Sequence, residues 1–236
     1  MILPIDDVVL TLSPEPAGVD DDTRARIVAH WAAAVAANPA LWNGTVYGVR
    51  APGTPGGLRV EAGVLRGEAV EWDFASFLAW RDWGFPEIGL RNLFGSALVL
   101  SGDGALIYGV MGPRTANAGR IYPPGGSLEP RDRTADGRLD VFRSVDLELA
   151  EETGLAVADA ELAATLVAFD GPRVSVGRVL CFPGEADDLA AGIRAFLAAD
   201  PDPELADVAV IRSGAEAADA RFPPYARMFA EYLLPS

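Results

Sequence analysis

Three carboxylates in the segment Asp140-Val141-Phe142-Arg143-Ser144-Val145-Asp146-Leu147-Glu148-Leu149-Ala150-Glu151-Glu152-Thr153-Gly154-Leu155 carry the strongest chemical signal in this chain. At about 100° per residue, Val141, Phe142, Val145 and Leu149 define one apolar helix face, and Arg143, Asp146 and Ala150 lie opposite. Glu152 points nearly with Val145, Glu148 lies at the edge of the apolar stripe, and Glu151 is one step further round. Their i, i+3, i+4 spacing makes them neighbours. Like charges gathered near a helix C-terminus repel one another and oppose the macrodipole, and partial burial adds to the cost. One reading is a solvated acidic face, ended by a glycine cap at Gly154 with Leu155 behind it. The other is a site for a hard divalent cation, Mg²⁺ or Mn²⁺, completed by water and substrate phosphate. Such an ion relieves both penalties, polarises a phosphoryl oxygen and activates water.

These carboxylates need a scaffold, and the pattern from residue 95 onward supplies one. Ser96–Leu100 and Ala105–Val110 are apolar runs flanking Ser101-Gly102-Asp103-Gly104, a hairpin signal. The loop Pro124-Gly125-Gly126-Ser127 is either a plain turn or a segment whose glycines, Gly125 and Gly126, let backbone approach a ligand or metal. A helix is predicted over 140–153, strands over 161–169 and 173–182, a helix over 186–198, a strand over 205–212 and a helix over 223–234. Residues 1–90 read as an N-terminal α/β extension, and 91–236 as the main domain. In the extension, Leu3–Leu12 is strand-like, and Asp20-Asp21-Asp22 supplies N-cap chemistry for a helix over 23–37. Trp42–Arg50 reads as a strand. A hairpin over Leu58–Leu65 and Ala69–Phe74 turns at Arg66-Gly67, and an aromatic helix follows over 74–83. The expected fold class is α/β (α+β), a sandwich with a mixed sheet. His30 reads as a structural or surface histidine, and Trp72, Trp80 and Trp83 as packing residues.

Composition narrows the function classes. The chain has 236 residues, half of them hydrophobic, which is ample for a real core. Acids outnumber bases 34 to 19, for a formal charge of −15. That field opposes binding to DNA or RNA backbones in the absence of a local basic patch, and none is seen; every basic residue is Arg. The one cysteine, Cys181, excludes a disulfide framework and reads as a strand thiol. No apolar stretch reaches about 18 residues and the N-terminus lacks signal-peptide regions, so the expectation is a soluble, cytoplasmic protein without a membrane partner. Neither a GxGxxG nor a P-loop stands where nucleotide binding would require it.

The two segments together resemble the signature of the Nudix hydrolases, G-x5-E-x7-R-E-U-x-E-E-x-G-U with U aliphatic. Gly126 opens it, and Glu148-Leu149-Ala150-Glu151-Glu152-Thr153-Gly154-Leu155 matches its second half position for position. The resemblance covers about residues 95–236. Two positions depart, Asp132 standing for the first Glu and Leu147 for the Arg, and between them 14 residues (133–146) replace the signature's seven, a cheap change where the extra length is loop such as Arg133-Thr134-Ala135-Asp136-Gly137-Arg138. The resemblance implies an α/β/α sandwich and metal ligation by Glu148, Glu151 and Glu152. It also implies hydrolysis of a nucleoside diphosphate linked to another moiety, with Glu148 or a loop acid activating water. Glu185 in Gly184-Glu185-Ala186-Asp187-Asp188 is a candidate for that acid, or part of a helix cap. Arg114 and Arg120, flanking the Tyr122 loop, would bind phosphate or simply be solvated. The inserted box lacking the Arg, together with Trp42-Asn43-Gly44 in the extension, looks like the UDP-glucose pyrophosphatase branch, which implies a UDP-sugar cleaved to UMP and a sugar 1-phosphate. The alternative is a Nudix-fold module that binds a nucleotide sugar for regulation without cleaving it. Residues 1–90 would cover the site, build a homodimer interface or complete the fold.

Overall fold

The computed structural model describes residues 1–234. In chain order its elements are β1 (Ile2–Pro4), β2 (Asp7–Leu12), α1 (Asp21–Ala37), β3 (Thr45–Arg50), β4 (Arg59–Glu61), β5 (Val64–Asp73), α2 (Phe74–Asp82), β6 (Leu90–Leu100), β7 (Leu106–Met111), β8 (Ile121–Tyr122), β9 (Arg138–Leu139), α3 (Val141–Thr153), β10 (Glu161–Asp170), β11 (Arg173–Cys181), α4 (Ala186–Ala199), β12 (Leu205–Ile211) and α5 (Pro224–Leu233). The fold is mixed α/β, as the pattern of runs predicts. No helix among the described residues is long and apolar enough to cross a membrane.

The chain forms two compact units. The first takes Met1–Asp6, Phe94–Gly126 and the chain from Val141 onward; the second takes Asp7–Leu93 and Ser127–Asp140. This partition differs from a cut near residue 90 in two places, both for reasons of strand pairing. The expected single strand over Leu3–Leu12 is broken at Ile5-Asp6, and its first part, β1, pairs antiparallel with β10, Ile2 opposite Ala168. The segment 127–140 carries β9, which pairs with β2, Leu10 opposite Leu139.

In the first unit the strand order is β1-β10-β11-β6-β7-β12, with β8 added to β7. Side chains alternate across a strand, and that alternation puts helices on both faces. On β6 a Cβ at Gly95 would meet Val145 of α3, whereas Leu98 packs with Gly177 and Phe229 of α5. On β11 Gly177 faces α5, and its neighbour Arg178 reaches Asp146 of α3. Val145, Leu149 and Phe229 are fully buried, each such burial being worth roughly 1.5–3 kcal/mol. The start of α4 is tied to the β6–β7 turn. There Asp103 accepts from the Ala186 N–H at 2.9 Å and pairs with Arg212 at 2.7 Å. Its hydrogen bond from Ser101, then that from Arg212, holds the Asp103 carboxyl well below the usual range.

In the second unit β5 lies between β3, antiparallel to it, and β2, parallel to it. The β4–β5 turn falls at Ala62-Gly63, not at Arg66-Gly67. Both turn residues have positive φ, 47° and 77°, as a tight two-residue hairpin requires. Gly67 runs inside β5 instead, where a Cβ would meet Leu58 at 2.8 Å. Trp72 and Trp80 pack at 5.5 Å in a buried cluster, and His30 lies 3.1 Å from Asp82 and edge-on to Trp83. Asn43 accepts from the Ala75 N–H at 2.8 Å beside Asp73, the N-cap of α2.

Candidate functional site

The site forms where the 123–126 loop crosses β6 under the last turns of α3. The Ala97 N–H donates to the Pro124 carbonyl at 2.7 Å, pinning the loop to the strand. Two adjacent glycines then do different work. At Gly125 a Cβ would stand 2.2 Å from the Gly95 carbonyl oxygen, so only glycine permits this approach of two backbones. At Gly126 a Cβ would stand 2.6 Å from Glu148 Oε1, so its absence makes the space that the carboxylate occupies.

Glu148 and Glu152, one helical turn apart, are 9 % and 4 % exposed. The Gly125 N–H donates to Glu152 Oε2 at 3.1 Å. Burial pushes the Glu152 carboxyl well above its ordinary range, reinforced by the charges of Glu148 and Glu204 and only partly offset by the Gly125 bond. Glu204 lies close enough to the Glu152 carboxyl to push it up further. Glu204 precedes β12, where Leu205 pairs with Met111 at the end of β7 and the Gly112 N–H donates to the Glu204 carbonyl at 2.7 Å. Sequence reasoning missed it: a lone acid before a strand has no local signature, and only the β7–β12 register brings it to α3.

The other expected site residues distribute as follows. Glu151 is exposed, unlike its two neighbours; the wheel put it one step further round, and that step carries it out of the buried face. Arg114 pairs with Asp202, two residues before Glu204. The Arg120 carbonyl accepts from the Met111 N–H, and its guanidinium donates to the Ala220 carbonyl at 2.9 Å. Both arginines therefore belong to the end of β7 that holds Glu204. Glu185 does not: it is exposed at the N-cap of α4, next to the 101–104 turn. That turn is at the opposite end of β7, about 20 Å away for six residues of strand. Asp132 is fully buried in the second unit, accepting from the Glu129 N–H at 2.8 Å in a reciprocal cap of a short 3₁₀ turn. Leu147 is half-buried.

Among the described residues, no three His, Cys, Asp or Glu side chains form a ready-made metal cage. What the site offers is two buried carboxylates with Glu204 beside them, all oxygen donors. This suits Mg²⁺, which keeps several waters and takes one or two carboxylates plus substrate phosphate. A buried pair of like-charged glutamates is also the arrangement that a divalent cation relieves. The residues therefore fit such an ion.

The two glycines give opposed mutational outcomes. Gly125→Ala drives a methyl into backbone that cannot yield, and a loss of about 1–3 kcal/mol is expected in denaturant unfolding. Gly126→Ala meets only the end of a flexible side chain. It is expected to leave stability within about 1 kcal/mol while displacing Glu148, so that metal-dependent stabilisation falls and the fold persists.

No protein-family model matches the chain, and no curated protein matches it. Solved structures similar to it include a MutT protein from Methanosarcina mazei Go1, 18 % identical, with 61 % of this chain and 92 % of that one covered and a TM-score of 0.41. The NUDIX domain of Shewanella oneidensis NrtR, solved with ADP ribose, is 15 % identical, with coverage of 51 % and 72 % and a TM-score of 0.35. A bifunctional NMN adenylyltransferase/ADP ribose pyrophosphatase from Francisella tularensis, solved with AMP and a Mn ion, is 18 % identical, with coverage of 55 % and 36 % and a TM-score of 0.34.

Proposed function

We propose that the chain is a Nudix-type, divalent-metal-dependent hydrolase of the pyrophosphate bond in a nucleoside diphosphate joined to a second moiety, with UDP-sugars the leading substrate class. The observation that supports this most is the buried pair Glu148 and Glu152, set on the half-motif that matches the signature and seated in the space left by Gly126. Glu148 and Glu152 would hold the ion, with Glu151 on the exposed side of the same turn. When bound, Mg²⁺ or Mn²⁺ supplies neutralisation of charge on the pyrophosphate oxygens. It also lets a chain of charge −15 accept an anionic substrate.

The chain's own groups have separable tasks in this reading. The Gly125 N–H orients Glu152, and the missing side chain at Gly126 leaves the space in which Glu148 sits. Arg114 and Arg120 stand at the same end of β7 as Glu204, where a phosphate would compete with Asp202 and the Ala220 carbonyl for them. Glu204, exposed and close to Glu152, is the acid placed to take the proton as water attacks phosphorus and the anhydride P–O bond breaks. Glu204→Gln is expected to lower kcat about 10²-fold or more in steady-state kinetics.

Product analysis tests the reading. The protein is incubated with UDP-glucose, ADP-ribose, NADH, CoA, dinucleoside polyphosphates and 8-oxo-dGTP in Mg²⁺ or Mn²⁺, with Glu152→Gln as control. Cleavage of one compound, lost in the variant, supports the hydrolase and names its substrate. If metal and a nucleotide sugar both raise Tm while nothing is cleaved, the chain is a binding module instead.

A further inference from the structure

We infer that Arg178 is a positioning residue for the carboxylates of α3, gripping the helix on the other side of its buried stripe from Glu148 and Glu152; this rests on the metal-site reading above. Arg178 projects from β11, on the face of the sheet that carries α3. Its side chain is 13 % exposed, it forms an ion pair with Asp146, and its guanidinium lies over the Phe142 ring, 5.5 Å from the centroid. Phe142 and Asp146 are one turn and about 40° apart, so Asp146, expected opposite the apolar face, borders it instead and meets the same guanidinium as Phe142. At about 100° per residue, Asp146 and Glu148 are some 200° apart around the axis, with Val145 and Leu149 between them on the buried side.

This arrangement matters because the site pushes on its own helix. Glu148, Glu152 and Glu204 are mutually repulsive once ionised, and the apolar contacts at Val145 and Leu149 resist lifting of α3 better than rotation about its axis. Side-chain ends lie about 5–6 Å from a helix axis, so a rotation of about 20° carries a carboxylate about 2 Å, enough to remove it from a metal's first coordination sphere. A two-point grip on the far flank, one point ionic and one cation–π, opposes that rotation. Leu147, next to Asp146, offers no charge for the task. A guanidinium can stack and pair at once, whereas an ammonium is only a point charge.

The test compares wild type, Arg178→Met, Arg178→Lys and the exchange Asp146→Arg/Arg178→Asp. Readouts are Mn²⁺ binding by electron paramagnetic resonance, amide exchange over 141–153, and steady-state kinetics. Arg178→Met is expected to weaken Mn²⁺ binding about tenfold or more, to speed exchange along α3, and to lower kcat with KM for substrate little changed. Arg178→Lys and the exchanged pair are expected to recover part of the Mn²⁺ affinity. Mn²⁺ affinity unchanged in Arg178→Met, or lowered with no recovery in either rescue variant, would overturn the proposal alone. A wild-type chain that binds no Mn²⁺ would overturn the metal-site reading and this proposal with it.

Discussion

Glu152→Gln is expected to abolish hydrolysis while making the metal-free protein more stable at pH 7–8. The glutamate is buried, and its carboxyl is pushed well above the ordinary range by burial and then by Glu148 and Glu204. In the unfolded chain it ionises near pH 4.3. Between that pH and its raised folded value the unfolded state gives up a proton that the folded state must keep, so folding loses free energy as pH rises. A glutamine cannot ionise. Its amide oxygen still accepts the Gly125 N–H, and its amino group is a donor for the neighbouring Glu204. The gain expected is about 0.5–2 kcal/mol, the usual size when a strained functional group is relieved, or about 2–4 °C in Tm for each kcal/mol. The gain should disappear below about pH 4, where both forms are neutral. Activity is expected to fall at least 10²-fold. Thermal melts of metal-free wild type and variant across pH 4–8 check the first half, and the product assay checks the second. A variant that melts lower than wild type at pH 8 would refute the account of Glu152 as a strained acid.

Metal binding is expected to release a proton and to tighten steeply with pH. Ligation requires ionised carboxylates, and in the metal-free protein Glu152 holds a proton against its ordinary tendency. While pH stays below the folded pKa of Glu152, the Kd for Mg²⁺ or Mn²⁺ should therefore fall about tenfold per pH unit, flattening once that value is passed. The wild-type protein should correspondingly show a metal-induced rise in Tm that grows from about pH 4 up to the raised folded value of Glu152, following RT ln(1 + [L]/Kd). Calorimetric titration in two buffers of different ionisation enthalpy counts the proton directly. Kd independent of pH across the whole range from 4 to 8 would mean that the buried glutamates are not the ligands.

How much of this was legible beforehand depends on how local each determinant is. The expectation of a helix over 140–153 meets the observed Val141–Thr153, and that of 186–198 meets Ala186–Ala199. Amphipathic period, acidic caps and a terminal glycine are properties of neighbours in sequence. The burial of Glu148 and Glu152 followed from the same wheel, because an apolar stripe dictates which flank turns inward. The wheel placed Glu151 only one step beyond them, too small a difference to show that this side chain would be left in solvent.

The sequence by itself determined the element types, the half-motif on α3, and the two glycines that cradle it. These follow from short-range sterics and from the periodicity of apolar residues. Only the tertiary structure decided which distant acid joins the site. Glu185 and Glu204 lie on either side of α4, and both precede regular elements. The helix's length and the β7–β12 register separate them by about 20 Å and leave only Glu204 against Glu152. The same holds for β1 and for the segment 127–140, which pair with strands remote in sequence. It holds also for Arg178, whose bond to Asp146 depends on which face of β11 it occupies. Pairing between distant segments is set by the sum of many burial and hydrogen-bonding terms across the sheet, and no single stretch of chain records that sum.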